Sequence, residues 1–172
     1  MNNDTSESPV IQVTLTNGYA TTIDQVDIDL FDTPWQATVK DGKPTYVICC
    51  NVKFGKAILH RIILQRKIGR PLEKGETCDH RDGNGLNNTR SNLRVATNAQ
   101  NSQNKSIYKR NKSGYKGVTW NSEGKKWVAR IGFNGKYIYL GIFADIKDAA
   151  RCYNEAALKY HGEFARLNVI ED

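Results

Sequence analysis

Asn134-Gly135 constrains this chain more tightly than any other pair of residues in it. Both residue types accept positive φ at low cost, which a two-residue turn between antiparallel strands requires. The flanking runs, Trp127 to Phe133 and Lys136 to Ile142, therefore predict a hairpin with a fixed register. Pairing Phe133 with Lys136 sets Ile131 opposite Ile138, Ala129 opposite Leu140 and Trp127 opposite Ile142, an almost wholly apolar face. The other face sets Arg130 opposite Tyr139 and Gly132 opposite Tyr137. Tyr115 to Trp120 is expected to add a third strand. From about Ile146 to Tyr160, Ala149, Tyr153, Ala156 and Tyr160 recur at helical spacing. Asp145 is the expected cap, Asp148 the weaker stand-in of a capping box, and Gly162 the stop. The prediction is a three-stranded antiparallel sheet packed on one helix, presenting Arg130, Tyr137 and Tyr139 outward.

A second stretch carries chemistry. Residues 77–104 read TCDHRDGNGLNNTRSNLRVATNAQNSQN. Thr77 to Arg81 suits one strand, Asp82-Gly83-Asn84-Gly85 must turn, and Leu93 to Ala96 suits the return strand. Thr97 is the expected N-cap of a helix reaching about Lys105, with Asn101 one turn inside it. The result is strand, loop, strand, helix. Asp79 offers a hard oxygen ligand, Asn101 a neutral one, and His80 a base titrating near neutral pH. That set suits one Mg2+-like ion and one activated water beside a phosphodiester. Asn92 is expected to clamp the loop by side-chain hydrogen bonds and so aim His80. Arg90 and Arg94 are candidate phosphate contacts. Cys78 reads as a small packing residue.

Upstream, residues 10–15 alternate as a strand, followed by a turn at Asn17-Gly18. Ile23 to Leu30 is either a short helix or a capped loop. Trp35 to Val39 and Tyr46 to Val52 read as strands joined by a hairpin loop at Asp41-Gly42-Lys43-Pro44. From Ala57, Ile58, Leu59, Ile62 and Ile63 make a helical stripe that Gly69 and Pro71 end. His60 in that helix reads as a packing or hydrogen-bonding histidine. Cys49 and Cys50 read as strand interior.

A chain of 172 residues accommodates one large domain or two small ones. Its formal charge is +7, which favours a polyanionic partner. The charge is uneven. The first basic residue is Lys40, whereas Lys105 to Lys136 carries nine basic residues against Glu123 alone. The partner is expected to meet the C-terminal half. Residues 105–113 read as a basic tether in which Arg110 and Lys112 can lie along a phosphate backbone. None of the four cysteines forms a Cys-x-x-Cys pair, so zinc has no ready cage. With no signal peptide and no spanning apolar run, a soluble cytoplasmic protein is expected, with no membrane partner.

Asp79-His80, the GNGLNN loop, Asn92-Leu93-Arg94 and Asn101 resemble the HNH, or ββα-metal, endonuclease motif, and more narrowly that of phage-type HNH homing endonucleases. LTNG at 15–18, IDQVDID at 23–29, Trp35 and Leu59-His60-Arg61 extend the likeness over roughly residues 10–105. The resemblance implies His80 as general base, Asn92 as its orienting residue, and Asp79 and Asn101 as ligands of one divalent ion. Asn101 departs from the third-position histidine of the family's name, which favours Mg2+ or Mn2+ over zinc. Tyr115-Lys116-Gly117-Val118, Trp127-Val128-Ala129, Tyr139-Leu140-Gly141 with Phe143 and Leu167-Asn168 resemble the ethylene-response-factor, or APETALA-type, DNA-binding domain. There the sheet enters the major groove, and Lys116, Gly117, Thr119, Arg130 and Tyr139 match its contact positions. Tyr137, Trp120 and Lys126 join them as candidate contacts. Thr119, Gly132 and Tyr137 stand where plant members carry arginine, so their target sequence does not transfer.

The expectation is therefore an α+β chain: a ββα-metal nuclease domain at 1–104, with a strand-rich part at 10–72 and the motif at 77–104, then a linker at 105–113 and a sheet domain at 114–172. It would cut double-stranded DNA with one Mg2+ or Mn2+ per chain and no small-molecule cofactor, nicking as a monomer or cutting both strands as a dimer or in two encounters. The alternatives are a DNA-binding protein with a degenerate nuclease domain and a single-stranded RNA binder.

Overall fold

The computed structural model describes residues 8–51, 55–107 and 110–171. Contacts divide the chain into two compact units, Met1–Asn98 and Ala99–Asp172. Among the described residues no helix is long and apolar enough to cross a membrane.

The first unit opens with strands β1 (Val10–Thr14) and β2 (Ala20–Asp24), an antiparallel pair turning at Gly18. The segment Gln25–Asp32 is a 3-10 helix, which resolves the choice between helix and loop. A three-stranded sheet follows: β3 (Gln36–Lys40), β4 (Lys43–Asn51) and β5 (Gly55–Ile58), with β4 central. The β3–β4 connection is tighter than expected. Lys40 pairs with Lys43, so only Asp41 and Gly42 turn, both at positive φ, and Pro44 lies in the strand. β5 was not expected; its apolar residues merge with the stripe of the helix behind it. Helix α1 (Leu59–Ile68) ends at Gly69 in the left-handed conformation. Strands β6 (Glu76–His80) and β7 (Leu93–Thr97) form a separate two-stranded ribbon. The core gathers Ile23, Leu30, Trp35, Val47, Cys49, Leu59, Ile63, Leu64, Cys78 and Leu93. The indole of Trp35 donates to the Leu30 carbonyl at 2.8 Å. The side chain of Cys50 lies outside the described residues.

The second unit begins with the short helix α2 (Asn98–Asn104), whose first residue closes the preceding unit. Its sheet is β8 (Val118–Asn121), β9 (Lys126–Phe133) and β10 (Lys136–Phe143), with β9 central. The Asn134-Gly135 turn sets the first four pairs as expected, from Lys136 with Phe133 to Tyr139 with Arg130. Beyond them the register shifts: Ala129 meets Gly141 and not Leu140, and Trp127 meets Phe143 and not Ile142. Leu140 is the extra residue of a bulge and packs inward on the core, while Gly141 at φ 151° takes a conformation that a side chain would resist. Ile142 is consequently turned to solvent. β8 starts at Val118, later than expected, because Asn111 and Ser113 fold the preceding residues into a turn. Helix α3 (Ile146–His161) lays Ala149, Ala150, Tyr153, Ala156 and Ala157 on the sheet. Asp145 caps it by accepting from the Lys147 amide, whereas Asp148 bonds Arg151 at 2.9 Å.

Candidate active site and candidate nucleic-acid interface

Asp79 and His80 end β6, and the β6–β7 ladder places Arg94 opposite Asp79 and Leu93 opposite His80. The twelve positions between the strands are tied into one polar knot. Asn92 accepts from the Asp82 amide at 3.1 Å and donates to Asp82 Oδ1 at 2.9 Å and to the Asn87 carbonyl at 2.7 Å. It thus clamps the loop. The side chain that reaches His80 is a different one: Asn88 Oδ1 stands 3.2 Å from His80 Nε2. Sequence reasoning missed Asn88 because one of several asparagines in a turn looks like turn chemistry. Gly85 is required where the loop crosses β4, since a Cβ there would lie 1.8 Å from the Thr45 carbonyl.

The ring of His80 is buried, edge-on to His60 with centroids 4.9 Å apart, and Tyr46 packs near both. Burial pushes the His80 imidazole below its ordinary range; Asn88, Asp82 and Asp79 oppose that push. His60 is pushed down to about 3, by burial first and then by the neighbouring imidazole and Arg61. Two charged rings at that distance would repel, so the site favours neutral imidazoles. His60 is a packing histidine, as expected, and what it packs on is the candidate base. Cys78 donates to the His60 carbonyl at 3.5 Å, and burial pushes its thiol up to about 12, which suits a packing role.

Arg90 and Arg94, the candidate phosphate contacts, both bond carboxylates within the fold. Arg94 is buried and bonds Asp79 Oδ2 through Nε and Nη2, both at 2.8 Å. Arg90 donates from Nε and Nη2 to Asp27, a carboxylate with 0% exposure, at 2.8 and 2.9 Å. Both guanidiniums serve as counter-charges of buried acids. The acidic segment at 23–29 thereby acquires a structural reason: Asp27 and Asp24 hold Arg90 by its side chain and its amide.

Asp79 and Asn101 are hard oxygen donors of the kind Mg2+ and Mn2+ take. Among the described residues no three of His, Cys, Asp and Glu gather. An ion on Asp79 would therefore draw its remaining donors from amides, water or substrate oxygens, a set that Mg2+ accepts. Asn101 lies on α2 in the second unit.

In the second unit Thr119, Lys126, Arg130, Tyr137 and Tyr139 are exposed. Tyr137 and Tyr139 expose 79% and 64% of their surface, and the Arg130 guanidinium lies 5.5 Å from the Tyr137 ring centre. Arg110 and Lys112 are exposed as well. Three other expected contacts are placed differently. Lys116 Nζ donates to the carbonyls of Gln103 and Lys105, closing the C-terminal end of α2, and burial with nearby Arg166 pushes its ammonium down to about 8. Gly117 is a packing position: a Cβ would meet the Tyr153 ring at 2.0 Å, and its φ is +76°. Trp120 pairs with Trp127 and shares the face of Val118 and Ala129, the face that α3 covers, although it is half exposed there.

The HNH endonuclease family profile matches residues 57–103, and the AP2 domain profile matches residues 113–163. The class is thus an HNH endonuclease-type domain followed by an AP2 domain, a pairing that supports nuclease and DNA-binding function. The chain is 33% identical to Protein 3.8 of Escherichia phage T7 over 115 residues, covering 67% of this chain and 94% of that protein. It belongs to that protein's family. It is also 36% identical over 136 residues to the uncharacterized HNH endonuclease L560 of Acanthamoeba polyphaga mimivirus, covering 76% of this chain and 66% of the relative. An AP2-like ethylene-responsive transcription factor of Arabidopsis thaliana is 41% identical over 63 residues, 36% of this chain and 18% of the plant protein.

Proposed function

We propose that this chain is a metal-dependent HNH endonuclease that hydrolyses phosphodiester bonds of double-stranded DNA. The observation that carries the reading is a buried imidazole, His80, gripped at Nε2 by Asn88 at the end of a clamped loop. A base held this way keeps one orientation and stays neutral near pH 7, as proton abstraction requires. His80 takes a proton from water; the water oxygen attacks phosphorus in line as the bond to the 3′ oxygen breaks. The products are a 5′ phosphate and a 3′ hydroxyl. A divalent ion, Mg2+ or Mn2+, with Asp79 and Asn101 as protein donors, would supply charge neutralisation for the phosphate and the departing oxygen.

The C-terminal sheet is the DNA-docking part. Its outer face offers Thr119, Lys126, Arg130, Tyr137 and Tyr139, with Arg110 and Lys112 following the backbone ahead of it. Binding of this kind weakens steeply with salt. One active site per chain predicts nicking by a monomer, and a homing role predicts cuts mapping to DNA beside the gene. The deciding experiment is relaxation of supercoiled plasmid with Mg2+ and with Mn2+. The expected result is ion-dependent nicking that His80→Ala abolishes while gel-shift affinity persists. Full activity in His80→Ala, or in excess chelator, rules the mechanism out. DNA binding without nicking by the unaltered chain leaves a DNA-binding protein with an inactive nuclease domain.

A further inference from the structure

The bulge at Leu140 changes what the outer face of the C-terminal sheet carries. Beyond it Ile142 pairs with Val128, and Val128 pairs on its other side with Thr119. The residues that alternate with them, Trp127, Ala129 and Phe143, pack on the core beneath, so these three stand together on the opposite face. Ile142 is 44% exposed, Thr119 is exposed and Val128 is half-buried. With no bulge, Ile142 would have faced the core opposite Trp127. All three are β-branched, and the second heavy atom on Cβ leaves few choices of χ1. The row is a stiff strip of methyl groups. Strands lie about 4.8 Å apart, so a row across three of them is about 10 Å wide, which fits a B-DNA major groove about 12 Å wide.

The surroundings of the strip are cationic. The next row sets Arg130 opposite Tyr139, with the guanidinium 5.5 Å from the Tyr137 ring centre. Arg130 is the one arginine of β8, β9 and β10. Lys125 and Lys126 are exposed where the chain turns from β8 into β9, with Glu123 the acid beside them. Cations favour a polyanion as the occupant. In duplex DNA the groove floor also carries a hydrocarbon group, the 5-methyl of thymine. Uracil has only a hydrogen there.

We propose that Thr119, Val128 and Ile142 read thymine methyl groups in the major groove, so that the chain prefers duplexes with thymine beneath this row. The inference rests on the sheet being the DNA-docking part and adds the base it selects. Arg130 makes the polar contact next to the strip, and the strip gains by taking a methyl group out of water. The preference is for thymine over cytosine and over uracil alike, because only the methyl distinguishes the last two pairs.

The test uses the full chain in excess chelator, so that no strand is cut. Duplexes are selected from a random pool for binding, and each thymine of the tightest one is then replaced in turn by deoxyuridine, which removes the methyl and keeps the pairing. At one or more positions binding is expected to weaken about threefold to fivefold, the value of one buried carbon group. Ile142→Ala and Val128→Ala are each expected to bind the thymine and uracil forms alike there; should one variant not fold, the other decides. Equal binding of every uracil form by the unaltered chain overturns the proposal, as does a thymine preference that survives in both variants. Either result, with tight duplex binding intact, leaves the sheet as the docking part. A chain that binds no duplex refutes the docking reading and the inference with it.

Discussion

The loop at 81–92 and the outer face of the C-terminal sheet are both polar in sequence, yet they use their polar groups in opposite ways. In the loop, side chains bond one another and the backbone: Asp82, Asn84, Asn87, Asn88 and Asn92 close a network reaching His80. On the sheet, Tyr139 stands 64% exposed and Arg130 reaches only as far as the Tyr137 ring. A polar residue engaged within the fold holds geometry, whereas one presented to solvent is available to a partner. Substitutions in the first region should cost stability, and substitutions in the second should cost DNA affinity.

Arg94→Met is expected to break the first region hardest. It leaves Asp79 as a buried carboxylate without its guanidinium, a loss of about 3–5 kcal/mol by analogy with other broken buried pairs. Urea unfolding measures it. Mg2+ or Mn2+ should raise the midpoint of the variant more than that of the parent, because a cation on Asp79 replaces the missing charge. A change below about 1 kcal/mol would mean that the pair is as weak as a surface one.

The acid limb of stability comes next. His60 titrates near 3 in the fold and near 6.5 when unfolded. Between those values the unfolded chain binds more protons, so stability rises with pH. The contribution is complete above about pH 6.5 and is lost progressively as pH falls toward 3. His80, lowered in the same direction, adds to it. His60→Phe should flatten the slope of unfolding free energy against pH across this window. An unchanged slope would show that His60 is not neutral in the fold.

What was legible in the sequence follows the same division. Local chemistry was readable: the Asn134-Gly135 turn determines the first four pairs beside it, and the asparagine at 92 does clamp its loop. Features decided by distant partners were not. The bulge depends on Leu140 finding a place in the core, β5 is hidden by the apolar stripe that follows it, and Asn88 meets Thr21 across 67 positions. That Arg90 and Arg94 hold acids was not readable either, because a basic residue beside a catalytic motif gives no sign of the acid it bonds. Lys116 and Gly117 fit a contact pattern by position, while their surroundings give them packing and capping work.

The smallest stability effect should come from Arg130→Ala, and Lys116→Met is its control. Arg130 projects from the sheet with little to hold, so its loss should change unfolding by no more than about 0.5 kcal/mol. If its guanidinium meets the duplex, affinity should fall by about 1–3 kcal/mol for a base contact, or, for a phosphate contact, the slope of log affinity against log salt should drop by about one unit. Lys116 is also basic and matches the same family pattern, but its ammonium closes the end of α2. Lys116→Met should therefore leave the salt slope unchanged and lower the thermal midpoint instead. Equal loss of salt slope in both variants would place Lys116 on the DNA and erase the distinction between engaged and presented cations in this unit. Loss of slope in Arg130→Ala alone would sharpen it, because the two residues differ in what they touch and not in charge.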